Sequence, residues 1–489
     1  MRLSEVVEAV QGELLSDSCA ECEILSLCVD SRKVCKAGLF ICLKGWNTDS
    51  HLYAAEAVKN GAVAVVGERK LAIDVPQILV KDTRAALSRI AAAFYGNPAE
   101  KLKIIGITGT NGKTTVSYML SSILQAAGKK IGIIGTLGAR YGRAEISSNL
   151  TTPDPIELHK LFSEMLLCGV EYVVMEVSAH ALYYKKTEGI RFSACIFTNL
   201  SQDHLDFFDN MENYQNVKSK LFSKEVCDVA ILNGDDSVGR VFSTMRAGVE
   251  RTVIYALNTP SDAFAVITDE GLKGCSFMLN LSDQLCRVNL SFTGRYNVYN
   301  ALAAATCAYA LGMELSDISK GLEALKGVRG RLQAVGCYQG GDIYVDFAHT
   351  ADGLHKSLTA LRQYCKGRLI CLFGCGGNRD KSKRSVMGET AAKDADFCIL
   401  TSDNPRYEDP LDIISEIERG YRRFSIKYVV VPDRKRAIDY GLDFLKQGDI
   451  LLVAGKGGED YQEIMGIKYP FNDQDIIENL IKRKGESAF

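Results

Sequence analysis

KIIGITGTNGKTTVSYMLSSILQAA, residues 103–127, decides the fold. KIIGIT has the length and apolar content of a buried strand. Gly109-Thr110-Asn111-Gly112 follows as a glycine-rich turn, and Lys113–Ala127 carries a helical pattern closed by Gly128. Strand, tight turn and helix in succession predict an α/β fold with a parallel sheet. Glycines let the turn's N–H groups face an anion, and the helix N-terminus adds positive potential. Lys113 is placed to reach outer phosphates, and a hydroxyl beside it to hold Mg²⁺. The glycines fall at Gly106 and Gly109, whereas the common phosphate-loop spacing would put the first at Ile107. The strand–turn–helix context still predicts nucleotide binding.

Outward from this stretch the same alternation fills the chain, and three blocks separate. Residues 1–98 hold the strands ILSLCVD, LFICL, AVAVVG and QILVKD, with helices near Tyr53–Asn60 and Arg84–Tyr95. Gly96-Asn97-Pro98 then breaks the pattern as a linker. Residues 99–328 add KIGIIG, EYVVMEVS, SACIFTNL and VAILNGDD to the opening strand. In residues 329–489, IYVDFAH, RLICLFGCGG, DFCILTSDN, KYVVVPD and DILLVAG alternate with helices from Gly353, Arg384, Asp409 and Arg434. That is the rhythm of a doubly wound, Rossmann-like sheet, whose ligands sit at the carboxyl ends of the strands.

Composition narrows the function. The 489 residues are 47% hydrophobic and 24% charged, with a net charge of −2. A chain so balanced is globular and has no global positive excess for nucleic acid or anionic lipid. No apolar run is long enough to span a bilayer. The opening MRLSEVVEAVQGELLSD carries acids within its apolar pattern, so it reads as an amphipathic helix rather than a signal peptide. A cytoplasmic monomer is expected. The sixteen cysteines, Cys19 and Cys22 of a CxxC included, lack a second well-spaced pair and read as small hydrophobes.

Polar residues at strand ends are the next candidates. Glu176 closes EYVVMEVS, where a bare carboxylate is costly without a cation or donor, so it reads as a metal ligand or a cap. His204 follows SACIFTNL and is either structural or part of the site. Taken alone, Lys218 is a solvated helix lysine, Asn297 and Asn300 are caps, and Thr151-Thr152-Pro153 and Asp403-Asn404-Pro405 are turns.

Together, GTNGKTT, EVSAHAL and TNLSQDHLDFF resemble the Mur ligases, ATP-dependent amide-forming enzymes of bacterial peptidoglycan synthesis. VDFAHTADGL, FGCGGNRDKSKR, SDNPR and GKGGEDYQ are similar to the members that add diaminopimelate, and DSR with LFICLKGWNTDSH resembles their sugar-nucleotide unit. The resemblance runs through nearly the whole chain in the same order.

It implies ATP on Gly109, Thr110, Asn111, Gly112, Lys113, Thr114 and Thr115, with Asn297 and Asn300 on the adenine side. Arg331, Asp346 and His349 would meet the nucleotide from the last block. It implies magnesium facing Thr114, Glu176, His204 and Lys218, the last carbamylated into an anion that suits a hard cation. For a UDP-N-acetylmuramoyl dipeptide it implies Val29, Ser31, Trp46, Asn47, Thr48, Asn149, Thr151, Thr152, Ser178, Tyr184 and Lys186. For the amino acid it implies Arg379, Asp403, Asn404, Arg406, Gly455 and Glu459. Four positions depart from the family pattern: Ala179 for serine, Lys186 for arginine, Asn378 for aspartate and Gly458 for histidine.

The resemblance implies an ATP-dependent ligase joining meso-diaminopimelate to UDP-N-acetylmuramoyl-L-alanyl-D-glutamate through an acyl phosphate, a step that supports cell shape and division. An arginine in DNPR can fork onto the distal carboxylate that diaminopimelate has and lysine lacks. A ligase for L-lysine or another diamino acid is the alternative. A folylpolyglutamate-synthase-like ligase should lack DSR and DNPR. A catalytically dead nucleotide-binding regulator should have lost the loop or Glu176.

Overall fold

The computed structural model describes residues 1–486 except 16–21, 46–47, 149, 246–248, 273, 423 and 425–426. The candidate positions Cys19, Trp46, Asn47 and Asn149 lie outside the described residues. Among those described, β1 (Glu13–Leu14), β2 (Ser26–Cys28), β3 (Gly38–Ile41), β4 (Ala62–Gly67) and β5 (Gln77–Leu79) form a sheet ordered β1-β5-β4-β3-β2. β1 runs antiparallel to β5 and the other pairs are parallel. The amphipathic opening folds as the helix Leu3–Val10 and buries Leu3 and Val6. Asp82 accepts bonds from the Arg84 and Ala85 amides, which starts the next long helix at Thr83 and carries it to Phe94.

The central sheet contains β6 (Lys103–Thr108), β7 (Ile131–Gly135), β8 (Gly138–Tyr141), β9 (Ala144–Ile146), β10 (Tyr172–Glu176) and β11 (Ala194–Phe197). It continues with β12 (Val229–Asn233), β13 (Arg251–Ala256), β14 (Ala263–Gly271), β15 (Gly274–Leu281) and β16 (Gln284–Leu290). The order is β16-β15-β14-β13-β12-β11-β6-β10-β7-β8-β9. Its parallel heart runs from β14 to β7, and antiparallel strands extend both margins. One apolar cluster packs the helices Lys113–Ala126 and Arg295–Ala310 onto one face, and a second covers the other. A sheet covered on both faces needs continuously apolar strands, which is why β6 and β10 were legible. At the margin, β14 buries Ala263 and Ala265 but exposes Phe264 and Val266, the period-two pattern of a sheet covered on one face.

The last sheet is ordered β17-β18-β22-β19-β20-β21. Its strands are β17 (Gln333–Tyr338), β18 (Gly341–Asp346), β19 (Leu369–Phe373), β20 (Phe397–Leu400), β21 (Lys427–Val430) and β22 (Ile450–Ala454). Helices Ala351–Arg362, Ser382–Asp394, Pro410–Tyr421 and Arg434–Phe444 intervene. β22 returns between β18 and β19, which opens a crevice at the strands' carboxyl ends. In the central sheet β6 is likewise flanked by β10 and β11. A hairpin of β23 (Tyr461–Ile464) and β24 (Ile467–Pro470) follows. The described cysteines are all free thiols. Among the described residues no helix is long and apolar enough to cross a membrane.

One buried group does not fit its surroundings. His159, on the helix Pro155–Leu167, is 1% exposed, and neither ring nitrogen has a hydrogen-bond partner among the described residues. Burial lowers its pKa to about 4. The unfolded chain takes up this proton below about pH 6.5, the folded chain only below about 4, so the fold loses stability as pH falls through that window. The loss at pH 5 is about 2 kcal/mol. His159→Leu is expected to raise the melting temperature, by more at pH 5 than at pH 8. Equal gains in thermal scans at the two pH values would show that the histidine is not held neutral.

Candidate active site

The phosphate loop is pinned from the neighbouring strand end. The Thr110 amide donates to Asn199 O at 2.8 Å and the Asn111 amide to Asn199 Oδ1 at 3.0 Å. Thr198 Oγ1 donates to Asn111 O at 2.6 Å. Gly112 takes φ 87°, and a Cβ there would lie 2.4 Å from Asn300 Oδ1, so backbone conformation and space both require glycine. Lys113 Nζ folds back onto the carbonyls of Gly109 (2.9 Å) and Thr110 (2.8 Å). Burial pulls its pKa down, against the opposing charges of Glu176 and Asp203. Thr114 and Thr115 are buried at the helix start. Arg331 reaches across from the joint between the last two sheets, stacked 4.4 Å over Phe347, and donates Nη2 to Thr114 Oγ1 at 2.8 Å.

Glu176 ends β10 at 1% exposure, its oxygens accepting from the Thr136 amide and hydroxyl, each at 3.0 Å. His204 sits in a left-handed turn at φ 56° with Nε2 3.3 Å from Asp203 Oδ2. Asp203 is a hub that the sequence reading quoted without a role. His349 Nε2 lies 4.0 Å from its Oδ2 and Lys383 Nζ 3.9 Å from its Oδ1, both from the last sheet's side of the cleft. Burial opposes its charge, but the surrounding positive groups hold its carboxyl below the usual range. Burial pushes His204 down, so it stays neutral at neutral pH, and brings His180 and His349 to about 4. The ring of His180 meets that of His204 edge-on at 4.8 Å.

Lys218 is not the solvated lysine that its helix position suggests. The helix Met211–Ser219 buries it to 1% exposure. Its Nζ donates to Gly109 O at 3.1 Å and Thr108 Oγ1 at 3.5 Å, 4.6 Å above the ring of Tyr214. No carboxylate pairs with it among the described residues. Burial, reinforced by Lys113, drives its pKa far below the ordinary lysine value. Asn297 and Asn300 are buried on one helix, where Asn297 Nδ2 donates to Thr293 O at 2.8 Å and Asn300 Nδ2 to Asn297 Oδ1 at 3.0 Å. Asp346, at the end of β18, accepts from Ala348 N, Leu332 N and Ser357 Oγ, and burial raises its pKa.

One cavity of about 530 Å³ joins these groups to two others. Towards the first sheet it is lined by Thr151, Thr152, Ser178, Tyr184 and Lys186. Thr152 Oγ1 ties Glu176 O to Ser178, and Lys186 Nζ lies 3.3 Å from Thr152 O and 2.8 Å from Asp154. Arg84 stacks 4.3 Å over the ring of Tyr184. At the other end the cavity is lined by Arg379, Asp403, Asn404, Arg406, Gly455 and Glu459. Gly455 takes φ 114°, and a Cβ there would lie 2.5 Å from Asp403 Oδ2. Lys456, fully buried and without a role in the sequence reading, donates to Glu459 Oε2 at 2.8 Å and Asn404 Oδ1 at 3.0 Å. Val29, Ser31 and Thr48 lie in the first unit and do not line this cavity. Ser31 Oγ donates to Glu56 Oε2 at 2.9 Å.

The chain is similar to known proteins over its whole length. Family models described as "Mur ligase family, catalytic domain", "Mur ligase middle domain" and "Mur ligase, glutamate ligase domain" match residues 23–95, 107–308 and 330–457. The UDP-N-acetylmuramoyl-L-alanyl-D-glutamate–2,6-diaminopimelate ligase of Caldanaerobacter subterraneus is 42% identical over 483 residues, covering 98% of this chain and 99% of that protein. The chain belongs to the Mur ligase family. The namesake ligase of Syntrophomonas wolfei is 41% identical, with 99% of this chain and 100% of that protein covered. A solved UDP-N-acetylmuramoyl-L-alanyl-D-glutamate–2,6-diaminopimelate ligase superposes with a TM-score of 0.69 at 29% identity, covering 99% of this chain and all of the other. A MurF ligase from Thermotoga maritima, solved in complex with ADP, shares the fold at 19% identity and TM-score 0.60, covering 95% of this chain and 98% of its own.

Mur ligases use ATP, and Lys113 lies in the glycine-rich loop at a helix N-terminus. Lys113→Ala is expected to lower turnover by about 10²–10³ in an ATP-dependent phosphate-release assay, the usual cost of one such electrostatic contact. Near-unchanged turnover would place the phosphates elsewhere.

Proposed function

We propose that this Mur ligase joins an amino group of meso-diaminopimelate to the terminal glutamate carboxylate of UDP-N-acetylmuramoyl-L-alanyl-D-glutamate, converting ATP to ADP and phosphate. The observation that carries this reading is one continuous cavity, with the phosphate loop along it and Arg406, Asp403 and Glu459 at one end. The reading assigns the UDP-sugar to residues 1–98, ATP to 99–328 and the amino acid to 329–489. Val29, Ser31, Thr48, Thr151, Thr152, Ser178, Tyr184 and Lys186 would hold the UDP-dipeptide.

The chemistry sets the demands. A carboxylate oxygen attacks the γ-phosphorus and ADP leaves, giving an acyl phosphate. The amine then attacks the acyl carbon, a proton is lost, and phosphate departs as the amide forms. Two anions must first meet, so Lys113 and Arg331 supply positive charge at the loop. The acyl phosphate must be kept from water, which suits a cavity walled by residues of both the central and the last unit.

The residues also fit a magnesium ion. Among the described residues no group of three acidic, histidine or cysteine side chains is near enough to cage a metal. Magnesium bound with a nucleotide needs only one or two protein oxygens, the phosphates and water supplying the rest. Thr114 and Glu176 would hold it, with His204 and a carbamylated Lys218 beside them. Bound there, Mg²⁺ supplies charge neutralisation for the phosphates. Carbamylation needs a neutral amine, which takes up carbon dioxide and releases a proton, and burial beside Lys113 favours that neutral form of Lys218.

The reading makes two predictions. Lys218→Ala is expected to lose most activity and to regain part of it with a short carboxylic acid, which can stand in for the carbamate. An active, fully metal-loaded enzyme carrying an unmodified Lys218 would refute the carbamate. In a phosphate-release assay with ATP, the UDP-dipeptide and a panel of amino acids, release is expected only with both substrates present. The kcat/KM for meso-diaminopimelate is expected to exceed that for L-lysine by about 10⁴-fold, because lysine leaves Arg406 without its anion. Equal values would reduce DNPR to a turn and favour the lysine-adding alternative.

A further inference from the structure

Arg406 is held in an unusual way. It follows Pro405 and takes φ 53°, a left-handed conformation that a long side chain rarely adopts and that persists only when its surroundings enforce it. The enforcement comes mainly from the hairpin. The Arg406 amide donates to Glu463 O at 3.0 Å, and the Met465 amide donates to Arg406 O at 2.7 Å. The side chain is held as well: Nε donates to Glu463 Oε2 at 3.0 Å, and Nη1 donates to Gly377 O at 2.8 Å. Glu463 is fixed in turn, its amide donating to Asn404 Oδ1 at 2.9 Å. The two side chains are mostly buried, at 17% and 21% exposure.

We infer that Glu463 is a positioning residue that aims the guanidinium of Arg406, and that the hairpin β23–β24 is thereby an element of amino-acid specificity. The inference rests on the reading of Arg406 as the partner of the distal carboxylate. A guanidinium is planar, with donors in a fixed fork. With Nε and Nη1 tied, rotation of that plane is blocked and the Nη2 donors keep one direction. An anion then meets a partner already ordered, which strengthens binding without a new contact. Glu463 also offsets part of the arginine's charge. Selectivity here therefore depends on where Nη2 points rather than on the bare cation, and the substitutions below separate the two.

The test is steady-state kinetics of the full chain with each substrate varied in turn. Glu463→Leu is expected to raise the KM for meso-diaminopimelate by about 10-fold or more, the scale of one charge-assisted hydrogen bond, while kcat and the KM values for ATP and the UDP-dipeptide stay near those of the parent. Glu463→Gln keeps an acceptor oxygen at the same reach and loses the charge, so it should recover most of the lost affinity. Glu463→Asp keeps the charge but is one methylene short, and should resemble Glu463→Leu, which leaves the test intact if the leucine variant does not fold. In an Arg406→Ala background, Glu463→Leu should add no further loss. Unchanged KM for diaminopimelate in both the leucine and aspartate variants, or equal loss in every kinetic constant, would overturn the inference. If the parent itself does not prefer diaminopimelate to lysine, the reading of Arg406 falls and takes this inference with it. If the preference stands and the Glu463 variants keep it, this inference alone fails.

Discussion

Three basic side chains gather around the phosphate loop with no carboxylate within 4.0 Å among the described residues: Lys113, Lys218 and Arg331. Taking positive charge out of water without a partner is costly, and a chain normally pairs such groups or moves them outward. Here each hydrogen-bonds to neutral oxygens, the carbonyls of Gly109 and Thr110 or the hydroxyls of Thr108 and Thr114, with aromatic rings beneath Lys218 and Arg331. The arrangement makes sense when the missing anions arrive with the ligand. A nucleotide's phosphates supply several negative charges at once, and the proposed carbamate would turn Lys218, the most deeply buried of the three, into an anion. The site's architecture follows from keeping that unbalanced charge in one place.

The same constraint explains how the units meet. Asp203 acts electrostatically on Lys113 and Lys218, and it faces Lys383 and His349 across the cleft. Asn111 in the phosphate loop donates to Asp352 at 2.7 Å, and Arg331 spans the joint to Thr114. On the other side, Lys185 pairs with Asp82 at 2.6 Å and Arg84 covers Tyr184. The central unit thus draws partners from both sides, and the cavity beside the loop is the space where an acyl phosphate would need protection from water.

The departures from the family pattern find local explanations. Asn378 takes φ 51°, a conformation that asparagine tolerates well, and its side chain accepts the Tyr407 amide at 3.0 Å. Lys186 reaches the Thr152 carbonyl and Asp154, so a single ammonium serves two partners without the fork of arginine. At Gly458 a Cβ would lie 3.1 Å from Arg329 O and 3.0 Å from Leu137, so a larger side chain would press on the joint that carries Arg331. Nothing in the structure explains the alanine at Ala179.

By itself the sequence determined the parallel heart of two sheets, the phosphate loop and the polar strand ends of Glu176, Asp346 and Asp403. Those features are local: apolar runs covered on both faces, a glycine turn before a helix, and carboxylates where strands stop. It also carried the DNPR segment, legible as a whole motif rather than from any one residue. Tertiary structure decided the rest. Lys218 looks solvated on its own helix and is buried only because that helix packs against the loop. Asp203, Lys456 and Glu463 act on Lys383, Asn404 and Arg406 respectively, each more than 50 positions away in the chain. The antiparallel margins of the central sheet were also missed, because strands covered on one face alternate with polar residues and lose the apolar run that marks a buried strand. Charge pairing across a cleft depends on distance in space, and a linear sequence encodes that distance only through the completed fold.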